Sequence, residues 1–173
     1  MRILSMNNNP KFNKKKIIVI LLSLFCLSAC QKKQSEEIYI LYTNDVASEV
    51  YGNIGYAGVK GYKDYLKSEH QYVSLVDAGD YFDGDFSRAS LGSSIVEIMN
   101  AVGYDVAVLG NQEFSIGLQS LAENIAKSNF DYVSCNLKYL GSGQNPLKNV
   151  KPYVIKNMGR QRSLISVLQP RRH

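Results

Sequence analysis

A short apolar run, Val106-Ala107-Val108-Leu109, breaks off at Gly110 and meets Asn111, Gln112 and Glu113 at once. Such a run bounded by a glycine reads as a buried strand with a sharp exit. The three polar side chains that follow can bind a metal or a proton. Two other segments end the same way. Ile38 to Thr43 runs into Asn44-Asp45, and Tyr72 to Val76 runs into Asp77-Ala78-Gly79-Asp80. Open α/β sheets place their ligands beyond the carboxyl ends of parallel strands. Three such strands would deliver Asp45, Asp80 and Asn111 to one edge as a cluster of oxygen ligands.

The intervals between these segments are the right length for helices. Val59 to Ser68 reads as one. The glycines at 52, 55, 58 and 61 weigh against a start before Ala57, because each costs about 1 kcal/mol relative to alanine. That spacing matches no phosphate-loop or dinucleotide fingerprint, so a loop is expected there. Ser93 or Ser94 can cap a second helix whose Ile95, Ile98, Met99 and Val102 share a face, with Gly103 as its stop. Leu118, Leu121, Ala122 and Ile125 mark a third, before a strand at Tyr132 to Cys135. Strand and helix alternating in this way imply βαβ units and a largely parallel sheet, hence an α/β fold. Tyr153 to Ile155 and Leu164 to Leu168 read as two further strands around Met158-Gly159, and 140–148 as a surface loop.

Charge is segregated along the chain. Residues 1–30 hold five bases and no acid. All fifteen acids lie between Glu36 and Asp131, against five bases there, a local balance of −10. An acidic middle suits a cation site, and no nucleic-acid partner is expected. Lys14-Lys15-Lys16 followed by the apolar run Ile17 to Ala29 has the form of a secretory signal. Leu27-Ser28-Ala29-Cys30 resembles a bacterial lipobox, which makes 1–30 a lipoprotein-type signal peptide and Cys30 the lipid attachment site. A polar tether, 31–37, would follow. The expected location is the bacterial cell envelope, membrane-anchored through lipid at Cys30 and facing the periplasm or exterior. Cys26 would leave with the leader, so Cys135 alone remains in the fold and no internal disulfide is available.

Tyr42-Thr43-Asn44-Asp45, Asp77-Ala78-Gly79-Asp80, Gly103-Tyr104-Asp105, Gly110-Asn111-Gln112-Glu113-Phe114 and Ser134-Cys135-Asn136-Leu137 resemble, in order, the motifs of the bacterial periplasmic 5′-nucleotidases. These are calcineurin-like metallophosphoesterases, and the likeness runs from about Ile38 to Asn157. It implies a four-layer αββα sandwich with two divalent metals at strand ends, hydrolysing nucleotide phosphate esters. Asp45 would be a ligand of the first metal, Asp80 the bridging carboxylate and Asn111 a ligand of the second. The same three residues also suit a plainer role in turns and caps.

Two positions depart from the family pattern. Ala47 stands where a metal-binding histidine is implied, and Gln112 where a catalytic histidine follows the asparagine. Glutamine donates a hydrogen bond but exchanges no proton near neutral pH, forfeiting acid–base help worth roughly 10²–10⁴-fold in rate. His70 and His173, the two histidines of the chain, lie in none of the motifs. His70 reads as a solvated helix cap, and Glu113 as a structural cap of the loop or of a helix start.

The donors that remain suit at most one divalent cation, Mn²⁺, Mg²⁺ or Zn²⁺, held weakly. The partial domain 38–157 is expected to pass into a divergent basic tail, 158–173, giving an incomplete, truncated or frame-shifted sandwich. The functional expectation is a lipid-anchored nucleotide phosphoesterase of weak or no activity. The alternatives are a non-catalytic nucleotide- or partner-binding relative, or a truncated remnant.

Overall fold

The computed structural model describes residues 37–52 and 54–168. The leader, Cys30, residues 31–36 of the tether and His173 lie outside the described residues. Among the described residues no helix is long and apolar enough to cross a membrane.

Four parallel strands form the central sheet in chain order: β1 (Ile38–Thr43), β2 (Tyr72–Asp77), β3 (Val106–Val108) and β4 (Asp131–Val133). Helices α1 (Gly55–Glu69), α2 (Asp85–Ala89), α3 (Ser93–Val102) and α4 (Leu118–Lys127) lie between the strands in sequence. An antiparallel hairpin follows, β5 (Val154–Met158) and β6 (Gln161–Ile165).

The alternation of β3 assigns the two faces of the sheet. Ala107 and Leu109 join a core with Met99 and Val102 of α3 and with Leu121 and Ile125 of α4. Val106 and Val108 join a smaller core with Val133 of β4 and Val154 of β5. Side chains of a strand point alternately to opposite faces, so helices cover one side of the sheet and the hairpin the other. Helix, sheet and hairpin are layers of the sandwich that the sequence motifs imply. The fold is mixed α/β with a parallel half.

Several boundaries differ from the sequence reading. Helix α1 begins at Gly55, and Gly58 and Gly61 lie inside it. The expected loop over the glycines is confined to the stretch before Gly55. Burial of Tyr56 and Leu66 against the core outweighs the glycine cost, since tertiary packing overrides propensity. Lys63 is buried as well; its ammonium donates to the Gly103 carbonyl and stands 3.9 Å from Asp105. That contact ties α1 to the left-handed turn that ends α3. Neither Ser93 nor Ser94 caps α3. Gly92, at φ 81°, occupies the cap position with no side-chain bond, and Ser93 Oγ donates to the Ser90 carbonyl at 3.0 Å.

The five-residue helix α2 has too little periodicity to be read from sequence. β4 ends at Val133, two residues before the expected Cys135, because the Ser134 and Cys135 amides turn to the Lys151 and Val167 carbonyls. β5 and β6 pair Met158 with Gln161, tightening the hairpin beyond the expected strand limits. His70 does end α1, its amide donating to the Leu66 carbonyl at 2.8 Å. Its ring stacks on Tyr39 at a centroid distance of 4.0 Å, so the cap is only half solvated.

Candidate site at the carboxyl edge of the parallel sheet

The loops that leave β1, β2 and β3 meet at one edge of the sheet. The first two continue the strand pairing beyond the strands. The Ala78 amide donates to the Thr43 carbonyl at 2.8 Å, Asp45 to Gly79 at 3.0 Å and Ala47 to Asp80 at 3.2 Å. The second and third loops touch backbone to backbone. A Cβ on Gly79 would come within 2.9 Å of the Gly110 amide nitrogen, and one on Gly110 within 2.3 Å of Asp80 Oδ1. Only glycine allows this approach, and Gly79 also sits at φ +105°.

Glu113 holds the junction. It lies in a short 3₁₀ helix (Gln112–Ile116) and is fully buried. Its Oε1 accepts the amides of Tyr81 (2.8 Å) and Phe82 (3.0 Å), and its Oε2 those of Asp80 (3.0 Å) and Gly110 (2.6 Å). Four backbone donors from two loops converge on one carboxylate, satisfying groups that would otherwise be stranded. Burial pushes the pKa of Glu113 up, and the four amides pull against that shift.

Asp80 is tied to this carboxylate through its own amide. It has φ +62°, and its Oδ1 accepts the Gln112 amide at 3.0 Å. Asp45, Ala47 and Ser48 also have φ between 49° and 58°. Left-handed backbone is unfavourable for residues with a Cβ, least so for aspartate, and runs of it gather at functional sites. Asp80 and Gln112 are thus brought into direct contact. Asp45, whose side chain is exposed, is joined through backbone bonds. Asn111 directly precedes the 3₁₀ helix and accepts the Phe114 amide on its carbonyl at 3.3 Å.

Among the described residues no three His, Cys, Asp or Glu side chains form a metal-holding group. Asp45, Asp80 and Asn111 bring oxygen donors alone, and Ala47 brings none. Taken alone, these three oxygen donors are too few for a two-metal centre.

Asp77, the last residue of β2, is a participant that sequence reasoning does not single out. It is buried, accepts the Gly79 amide at 2.8 Å and meets Thr43 Oγ1 at 2.5 Å; the Tyr104 hydroxyl lies 3.0 Å from that same oxygen. Burial raises its pKa to about 7 despite the Thr43 and Gly79 bonds. Its place in Asp77-Ala78-Gly79-Asp80 is visible in the sequence; its burial depends on the packing of Tyr104 and is not.

No family model matches the chain. Individual proteins do. It is 33% identical over 156 residues to the snake venom 5′-nucleotidase of Gloydius brevicauda, covering 80% of this chain and 26% of that protein. It is 29% identical over 153 residues to UshA of Salmonella pullorum, covering 80% and 28%. Among solved structures, a 5′-nucleotidase precursor from Thermus thermophilus aligns with a TM-score of 0.68 at 26% identity, over 76% of this chain and 28% of that one. The calcineurin-like phosphoesterase YfkN of Bacillus subtilis aligns with a TM-score of 0.60 at 25% identity, over 77% and 48%. The fold is therefore that of the calcineurin-like phosphoesterases. More particularly, the chain is homologous to the N-terminal phosphoesterase domain of the 5′-nucleotidases. It spans about a quarter of the length of the curated relatives it matches.

Two outcomes test this architecture. Glu113→Gln puts an amide NH₂ where two backbone N–H groups need an acceptor, so it should destabilise the domain by about 2 kcal/mol or more, read as a lower urea midpoint. Asp77 gives the second. Its folded pKa of about 7 lies above the unfolded value of about 3.9, so the folded state holds the proton more tightly. The stabilisation is full below about pH 4 and is lost as pH rises through 7. The midpoint of Asp77→Asn, relative to wild type, should therefore improve steadily from pH 4 to 7.5. A difference constant with pH would contradict the assignment.

Proposed function

We propose that this chain is a lipid-anchored phosphoesterase domain of the 5′-nucleotidase family that takes a nucleotide phosphate ester at its sheet edge and turns it over slowly or not at all. The observation that carries the reading is the convergence of three strand-end loops on Asp80 and Gln112, in a fold shared with 5′-nucleotidases. Asn111 and Gln112 carry amides that can donate to phosphoryl oxygens. Asp45, Asp80 and Asn111 would hold a divalent cation, which when bound supplies the positive charge that an anionic ester needs beside two carboxylates.

Two substitutions support the reduction in rate. Ala47 offers no ligand, and Gln112 offers hydrogen bonds but no proton transfer. They also favour a second reading, in which the domain binds nucleotide without hydrolysing it. Cys30 as lipid attachment site and the envelope as location rest on the leader pattern.

The full chain, assayed with Mn²⁺ and AMP beside the Thermus thermophilus relative, should bind AMP while releasing phosphate at least about 100-fold more slowly. Asp80→Ala should remove any release that remains. Turnover equal to the relative's would overturn the reduced rate, and absence of AMP binding would overturn the phosphate-ester reading. For the anchor, labelled fatty acid should enter the wild-type chain in a bacterial host and not Cys30→Ser; equal labelling of both would rule it out.

A further inference from the structure

A cavity of about 460 Å³ opens beside the loop that leaves β4. That loop is closed at its base. The Ser134 amide donates to the Lys151 carbonyl at 2.9 Å, and the Lys151 amide to the Tyr132 carbonyl at 2.8 Å. Compact loops whose ends meet in this way are frequently functional. Leu147 belongs to the main core, and Leu137 and Val150 pack against it, so the loop is held down by its own side chains. Leu137, Leu140, Leu147 and Val150, with Phe114 of the 3₁₀ helix, form the apolar part of the cavity wall. The polar part comes chiefly from Ser134, Lys138, Tyr139 and Asn145. A space of this size falls within the range of small-molecule sites.

The unused hydrogen-bonding capacity of those polar groups is mostly for donation. The Ser134 hydroxyl is buried and has no partner among the described residues. Buried polar groups are seldom left so, and a ligand oxygen would satisfy it. Asn145 Oδ1 accepts the Leu147 amide at 2.9 Å, which leaves its NH₂ to donate elsewhere. The Tyr139 hydroxyl spends its proton within the loop, on the Ser142 carbonyl at 3.4 Å. Lys138 is exposed and forms no ion pair among the described residues. No Asp or Glu lines the cavity, and none follows Asp131 in the chain. One positive charge, one amide donor and one hydroxyl are complemented by a group with a single negative charge and several lone pairs. A carboxylate is such a group, and its bonds to these donors are charge-assisted. A phosphate dianion would set two charges against one lysine beside an apolar wall, and the unmatched charge is costly.

We propose that this cavity is a binding site for an organic monocarboxylate with an apolar body. Lys138, Ser134 and Asn145 take the carboxylate, and the body lies against Phe114, Leu140 and Val150. The assignment goes beyond the phosphate-ester reading and does not depend on it, because Asp45, Asp80, Asn111 and Gln112 do not line this cavity.

Hydrocinnamate probes the site, and hydrocinnamyl alcohol offers the same body without the charge. Calorimetric titration into the full chain should show the acid binding about tenfold more tightly than the alcohol, since hydrogen bonds to an ionised group are the stronger ones. Lys138→Gln, at an exposed position, should keep the fold and weaken the acid by about tenfold. Ser134→Ala gives a second readout. Without ligand its urea midpoint should equal or exceed that of wild type, because the hydroxyl it removes has no partner. With hydrocinnamate present, its midpoint should rise less than that of wild type. No binding of the acid at millimolar concentration, equal affinity for acid and alcohol, or an affinity unmoved by both variants would each overturn the proposal. A midpoint lowered by Ser134→Ala without ligand would show that the hydroxyl already has a partner, and would overturn it too.

Discussion

One carboxylate makes the rest of this edge possible. Glu113 takes four backbone amides, three from the loop after β2 and one from the loop after β3. Without an acceptor there, amides at a buried turn would face apolar neighbours such as Tyr81 and Phe82. With it, Asp80 is pinned in a left-handed conformation and its side chain meets the Gln112 amide. The bare glycines at 79 and 110 permit the approach, and the carboxylate makes it favourable. The loop geometry is therefore internal to the polypeptide.

Bonds of this kind need no metal to hold the edge together. A scaffold held by metal ligation would loosen when a ligand is lost, because ligand binding is then part of the folding free energy. Here the loops are tied by backbone bonds between Asp45 and Gly79 and between Ala47 and Asp80, and by the carboxylate beneath. Fold and chemistry separate, and a shared fold does not by itself carry a shared rate. Asp77 adds a buried carboxyl that stays partly protonated near neutral pH, so the region beneath the edge carries less charge than its sequence implies.

How much of this is legible in the sequence depends on which force rules each segment. The parallel strands announce themselves because short apolar runs end in glycine or in acid-rich turns, and all three strand-end loops fall where the pattern places them. Helix α1 reads too short because propensity judges its glycines, while burial of Tyr56 and Leu66 decides its start. The cap of α3 reads as serine although a left-handed Gly92 holds it. Glu113 is legible as structural but not as the acceptor for four amides, since three of those donors lie some thirty residues away in sequence. Asp77 is hidden for the same reason: its burial is a tertiary fact. The cavity beside β4 has no signal at all, because its walls come from separate stretches of chain.

Amide hydrogen exchange in the full chain, stripped of divalent cations with a chelator, tests the central claim most directly. If Glu113 fastens these four amides without help from a cation, the amides of Asp80, Tyr81, Phe82 and Gly110 should be protected to the same degree as those of β2 and β3. Exchange of these four amides at rates typical of open loops, with protection appearing only when a cation is added, would contradict it.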